Sequence, residues 1–251
     1  MLMIGSQITS FFDQACLFIS KISTPFFASN EVTLITQSVL IGLFAIYAVR
    51  LGRGGLTAFM AVCWVLGNLF VLKEATIFGL EVITADPFAI GASLSVTLLR
   101  EYYGKKAAEN GITIGFFCAF FFLIMSAIQL IYIPNAHDIT HPHFTALLGR
   151  MTRIIPSSFV VAFITMHLNL YLFEKLKAKL GDQFFGVSSF LALTTSQIID
   201  TSLFAFFALY GTVQSIISII LFSTVIKTIA IAISIPSVII ARRFVKQHDH
   251  L

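Results

Sequence analysis

The sequence predicts an all-α, polytopic membrane bundle of about seven transmembrane helices. Three observations carry that expectation. Of 251 residues, 57% are hydrophobic and 11% are charged, against about 25% charged in an average soluble domain. Phenylalanine alone occurs 27 times. The apolar residues gather into runs near the roughly 20 residues that a spanning helix needs, and short basic loops separate them. A chain of this kind has lipid as its main solvent and satisfies its backbone polar groups inside helices.

The runs fall at residues 33–49, 56–72, 83–99, 111–133, 154–173, 187–210 and 213–241. The last is too long for a vertical span, so it is expected to tilt or to kink at Pro236. Residues 1–31 contain a weaker apolar stretch, SFFDQACLFISKI, broken by Asp13 and Lys21. It reads as an interfacial segment. The expected organisation is this segment, one transmembrane domain over 32–243 and a short cytoplasmic tail, 244–251. The opening MLMIGSQITSFFDQ has no basic region of the kind that starts a cleaved signal peptide.

The loops set the orientation. One side carries Arg50, Arg53, Arg100, Lys105, Lys106, Lys175, Lys177, Lys179, Arg242, Arg243 and Lys246. The other carries Lys21, Lys73, Arg150 and Arg153. The richer side is expected in the cytoplasm, which puts the N-terminus outside and the C-terminus inside. The net charge of +4 lies in these loops, so it does not point to nucleic acid. Cys16, Cys63 and Cys118 share no metal-ligand spacing and read as small hydrophobes.

Two charges break the pattern. Asp200 sits within the sixth run and Lys227 within the seventh. A charge at the centre of a membrane helix costs at least ~2.5–3.5 kcal/mol on insertion scales, so such residues face a bundle interior and find partners. Counted from the outer helix ends, the two lie roughly 15 and 21 Å deep at 1.5 Å per residue. The two helices are joined by a very short loop and are expected to be antiparallel neighbours, with Asp200 and Lys227 paired or in one polar cluster. A buried pair of this kind can simply fix helix register. Thr194, Gln197, Asp200 and Thr201 make one polar stripe at helical spacing. That company favours contact with a substrate or a coupling proton. Asn68, Gln129, Arg153, Ser157 and Ser158 lie toward the outer ends of their helices and, with Gln197, Asp200 and Lys227, would line an outward-facing pocket. The stretch HDITHPH (137–143) has three histidines, but Pro142 stiffens it and no cysteine or glutamate partner follows, so no metal is expected. No cofactor is expected either. The sequence holds no HExxH, P-loop, GxSxG or GxGxxG.

LGNLFVLK (66–73), LLREYYGKKAA (98–108), the helix opening at Arg153 and ending LYLFEKLK (170–177), SQIIDTSLF (196–204) and Lys227 occur in this order. The set resembles the queuosine precursor transporters, also called the vitamin uptake transporter family, over roughly residues 56–243. The resemblance implies a six-helix core with both ends inside, here preceded by one extra N-terminal helix. It also implies import of a 7-deazaguanine base (7-cyano-7-deazaguanine, 7-aminomethyl-7-deazaguanine or queuine) across a bacterial inner membrane for tRNA queuosine modification. The chain departs from the family's pattern at Thr97, where an acid is common, and at Met166 and Asn169, where Gln and Asp are frequent.

For such a base, a carboxylate can accept from the adjacent N1–H and 2-amino donors. Asp200 is the first candidate and Glu101 the second. Gln197 and Asn68 can offer an amide N–H to O6, Lys227 can hold Asp200 ionised, and Arg153 lies on the same outer side. Aromatic faces would stack on the ring. The expected partners are the small-molecule base and membrane lipid, with a homo-oligomer or an energising partner left open. The alternatives are the substrate-binding subunit of an energy-coupling-factor-type vitamin importer, which needs an ATP-driven partner, and a membrane enzyme using Asp200 and His167. No enzymatic activity is the favoured expectation.

Overall fold

The computed structural model describes residues 29–135, 137–209 and 216–245. Most of the expected segment 1–31 and the tail beyond Val245 lie outside the described residues. Among those described are seven α-helices: α1 Asn30–Arg50, α2 Gly52–Phe70, α3 Asp86–Tyr103, α4 Lys105–Gln129, α5 His141–Leu180, α6 Phe185–Leu209 and α7 Ile216–Val245. Each coincides in large part with one of the seven apolar runs.

Five helical segments are long and apolar enough to cross a membrane: Asn30–Arg50, Gly52–Phe70, Lys105–Gln129, Phe159–Leu180 and Asp182–Phe207. A shorter apolar stretch covers Ile220–Pro236 of α7. Their outer faces are oily, as with Phe117, Phe120, Phe121 and Ile124 on α4, all exposed. Such a surface is untenable in water and suits lipid. The chain is a helical membrane protein.

Helix α3 differs because it is the central post. Twelve of its 18 residues are buried, including Ser93, Ser95 and Thr97. A helix sheathed by protein need not present apolar residues to lipid, so small and hydroxylated side chains suffice. Gly91 shows how tight the sheath is. A β-carbon there would stand 2.8 Å from Ile41 Cγ2 of α1 and 3.1 Å from Cys63 Sγ of α2. Around α3 the core joins Ile41, Leu56, Met60, Leu94, Leu98, Phe173, Phe185, Leu193 and Ile231, drawn from six helices.

Between α2 and α3 lies a hairpin that the apolar pattern does not reveal. Strands β1 Glu74–Ile77 and β2 Leu80–Ile83 pair antiparallel with Ile77 opposite Leu80. The third run was expected to be helical from 83; the helix starts at Asp86 because Leu80–Ile83 pair as a strand instead. The two-residue turn is Phe78-Gly79, both at positive φ (52° and 76°), as a type I′ turn demands. Helix α1 pins the hairpin. Glu31 accepts a 2.7 Å hydrogen bond from the Phe78 N–H, and the Asn30 amide donates to the Thr76 carbonyl at 2.9 Å.

Helix α5 is longer than its apolar run. It has 40 residues, about 60 Å at 1.5 Å per residue, twice the roughly 30 Å of a bilayer's hydrocarbon core. Its start is capped by Asp138. Oδ1 accepts from the Thr140 N–H (3.0 Å), the Thr140 hydroxyl (2.7 Å) and the His141 N–H (3.1 Å). These bonds, led by the Thr140 hydroxyl, hold the exposed carboxyl below its usual range. The acidic member of HDITHPH therefore serves to start a helix. At the opposite end of the bundle, α3 and α5 reverse at Gly104 and Gly181, with φ of 83° and 88°, where a side chain would be strained.

Candidate functional site

Helices α6 and α7 run against each other in opposite senses. Ile239 of α7 reaches Gly186 of α6, and Lys227 reaches Asp200 midway along both. Lys227 Nζ donates to Asp200 Oδ2 at 3.2 Å. The pair expected from the sequence is formed. Lys227 also meets a second carboxylate, since Asp86 Oδ1 lies 3.5 Å from the same nitrogen. One ammonium is thus shared by two aspartates from α3 and α6. Thr165 of α5 donates its hydroxyl to Asp200 Oδ1 at 3.1 Å, and Ser223 of α7 donates to Asp86 Oδ2 at 3.5 Å.

This cluster borders a cavity of about 190 Å³ between α2, α3, α5, α6, α7 and the hairpin. Its polar wall includes Asn68, Glu81, Asp86, Ser93, Thr165, Gln197, Asp200, Thr201, Ser223 and Lys227. Trp64, Met166 and Phe204 supply flat or apolar surface. Gln197 is held from behind, its Nε2 donating to Ser93 Oγ at 3.2 Å. Its Oε1, the Thr201 hydroxyl and the Trp64 indole nitrogen are buried without a partner. Buried polar atoms are rarely left unpaired, and these three belong to residues lining the same space.

Four of the six residues singled out from the sequence therefore line one cavity: Asn68, Gln197, Asp200 and Lys227. Asn68 already donates one amide hydrogen to the Trp64 carbonyl at 2.8 Å, which leaves its second. Glu101 does not join them. It lies near the other end of α3, paired with Lys177, which also meets Asp182 at 3.1 Å. Beside it Glu174 binds Arg100 at 2.6 Å and Lys105 at 3.4 Å. Arg153 falls on α5, and its side chain lies outside those described. His167 is not among the cavity residues; its Nδ1 is 2.9 Å from the Phe163 carbonyl of its own helix.

Asp86, Trp64, Ser93, Thr165 and Ser223 were not picked out from the sequence. Asp86 was hidden by its position. It heads a run, where an acid reads as a favourable helix-start charge, and only the hairpin shows that this start is buried. The Asp-Pro step opening an otherwise apolar helix was the available signal.

Charged and amide groups around a cavity within a helical membrane bundle make a site for a small polar molecule. The chain matches the family described as "Putative vitamin uptake transporter" over residues 88–241, more than half its length. It belongs to the vitamin uptake transporter family. It is also 22% identical over 201 residues to a Bacillus subtilis (strain 168) protein named "Probable queuosine precursor transporter", covering 79% of this chain and 88% of that one. No solved structure matches it.

Proposed function

We propose that the chain imports queuosine precursors, 7-deazaguanine bases, across a bacterial inner membrane. In this reading the seven helices span with the N-terminus outside and the C-terminus in the cytoplasm. Residues 32–243 form the transport domain, flanked by an interfacial segment and a cytoplasmic tail. The observation that carries the reading is the cavity itself. It is small, about 190 Å³, beside the ~300–1,000 Å³ of pockets for drug-sized ligands. That space accommodates a flat bicyclic ring, and the cavity is open on one side, where a substituent on the ring would extend.

Its chemistry supports the same class. Each Asp200 oxygen has one donor in place, and a carboxylate has about four lone-pair sites. Asp200 therefore retains capacity for the N1–H and 2-amino donors of the base. The free Asn68 amide hydrogen is the donor for O6, and Gln197 Oε1 accepts a further N–H. Trp64 and Phe204 are the faces on which the ring would lie. Glu101 and Arg153 are assigned to the gate region and the outer mouth.

The test is uptake rescue in a bacterium that can neither make nor import deazaguanines. Each base is supplied at low concentration and tRNA is assayed for the modified nucleoside, with a queuine-accepting transglycosylase in the host for that base. Rescue by the parent chain, lost in Asp200→Asn, supports both transport and site. Protein present in the membrane with no rescue by any base would overturn the assignment.

A further inference from the structure

The cluster at Lys227 is unbalanced. Two carboxylates, Asp86 and Asp200, approach one ammonium at 3.5 and 3.2 Å. With all three ionised the cluster carries a net charge of −1, and one bound proton brings it to zero. A structural register pin needs only one acid for one base. The second acid leaves an unmatched charge in a place where burial is costly.

Among the described residues that line the cavity, none besides Lys227 is a cation. Among the described residues, the other titratable groups lining the cavity are Cys63 of α2 and Glu81 of β2. Helices α1 and α4 place no residue on its wall, and α5 contributes Thr165 and Met166 with Val161 and Ala162. Arg100, Lys105 and Lys177 are engaged with Glu174, Glu101 and Asp182 near the far end of α3. An independent feature points to a ligand beside the cluster. Gln197 Oε1 and the Thr201 hydroxyl, on residues only 4% and 5% exposed, have no partner and line the same cavity.

We infer that the Asp86–Lys227–Asp200 cluster carries one proton with each substrate molecule, so that the chain is a proton symporter. This rests on the import reading above. Asp86 is the carrier. Its contacts are the looser ones, 3.5 Å to Lys227 and 3.5 Å to Ser223, whereas Asp200 holds Lys227 at 3.2 Å and Thr165 at 3.1 Å. Asp86 also sits beside the hairpin, at the end of α3 away from the charged network. An Asp86 carboxylate oxygen takes a proton from water on that side and becomes a neutral carboxylic acid. It returns the proton to water on the other side, and no other bond is made or broken. Proton occupancy cancels the cluster's charge, so the loaded and empty states differ electrically at the substrate's own wall. Relays of intramembrane carboxylates and cations are a general means of such coupling.

The experiment uses the purified full chain in liposomes with each of the three bases in radiolabelled form. Exchange of internal for external base, at equal pH, reads substrate handling alone. Net uptake is then measured with an acid-outside gradient of about one pH unit, a roughly tenfold bias, and a trapped dye reads internal pH. Expected results are exchange in the parent, net uptake raised several-fold by the gradient, and acidification of the lumen that depends on the base. Asp86→Asn should lose the gradient response, read as the ratio of net uptake with and without the gradient; a variant that keeps this ratio would overturn Asp86 as the carrier. If Asp86→Asn also loses exchange, the parent's dye signal decides. Exchange without any pH response, or net uptake driven by a sodium gradient instead, would overturn symport and leave import standing. No exchange with any base would defeat the import reading and the symport inference together.

Discussion

Lys227→Met tests the charge cluster most directly. The lysine side chain is 7% exposed, Asp86 12% and Asp200 20%. At an effective dielectric near 20, each carboxylate at such distances attracts the ammonium by about 5 kcal/mol. Desolvation offsets much of this, but truncating one member leaves the others buried and unmatched, at a cost of about 3–5 kcal/mol. For a chain of this size, about 2–4 °C of melting temperature accompanies each kcal/mol. The expected drop is therefore about 10 °C in apparent melting temperature, read by tryptophan or thiol-dye fluorescence in detergent at a fixed scan rate. Methionine keeps most of the volume, so packing loss is small. Adding Asp86→Asn and Asp200→Asn to Lys227→Met removes the orphaned charges and should recover at least half of the loss. A single variant melting within about 2 °C of the parent would show that the three groups are not electrostatically dependent. A triple variant no better than the single would assign the loss to packing.

The other expectations are smaller or more local. Gly91→Ala pushes a methyl to within 2.8 Å of Ile41 Cγ2 and should cost about 1–3 kcal/mol as overpacking; unchanged melting would mean that α1 yields freely. Glu174→Gln weakens a partly exposed network with Arg100 and Lys105 and should cost no more than about 1 kcal/mol, so a drop as large as that of Lys227→Met would contradict the burial argument. Gln197→Met removes the unpartnered acceptor and should lower uptake about tenfold at nearly unchanged melting, in line with loss of one hydrogen bond to ligand; full uptake would remove Gln197 from the site. Asp138 is held below the ordinary carboxylate range, so its capping is complete above that range and is lost as pH falls through the depressed value. Amide protection at residues 138–144, taken relative to the intrinsic exchange rate at each pH, should fall on acidification in the parent and be low at all pH values in Asp138→Ala; protection in the parent that is indifferent to pH would refute the capping role.

The helices were legible because lipid imposes a simple rule, long apolar runs between polar loops, and the protein obeys it on every lipid-facing element. The pair Asp200–Lys227 was legible for the converse reason: a charge that lipid forbids must have a partner, and depth along two adjacent helices left few candidates. The hairpin was not legible. EATIFGLEVI has no Asn-Gly turn, and Phe78 takes a positive φ that β propensity does not signal. Missing the hairpin also hid Asp86, whose burial depends on it. The extension of α5 back to His141 was obscured by Arg150 and Arg153, which resemble loop punctuation when read by hydropathy alone. Glu101 reads as a ligand candidate from its motif, while its pairing with Lys177 depends on a helix 76 residues away. Two of the three positions that depart from the family's pattern turn out to be neighbours, with the Asn169 amide reaching Thr97 Oγ1 at 3.4 Å and the Ser93 carbonyl at 3.0 Å. Sequence order conceals such pairings.

Helix α3 ties the two charged regions into one mechanical unit. Asp86 opens it and Arg100 and Glu101 lie in its last turn, about 22 Å apart at 1.5 Å per residue. The first shares Lys227 with Asp200; the other two are tied to Glu174 and Lys177 of α5. Between them the helix carries Ser93, which receives the Gln197 amide and whose carbonyl receives that of Asn169. A packed helix moves as a rod, because its own hydrogen bonds resist bending and the core around it is close-packed. A tilt of α3 that loosens Asp86 from Lys227 therefore changes the angle at which Arg100 and Glu101 meet α5. Neutralising Asp86 weakens one anchor of the rod without touching the other. The Arg100–Glu174 and Lys105–Glu174 pairs at the far end are partly exposed and worth little each, so they are cheaper to exchange than the Lys177–Glu101 pair, whose Glu101 side chain is only 7% exposed. A charge change at Asp86 therefore bears on the same rod that Arg100 and Glu101 tie to α5.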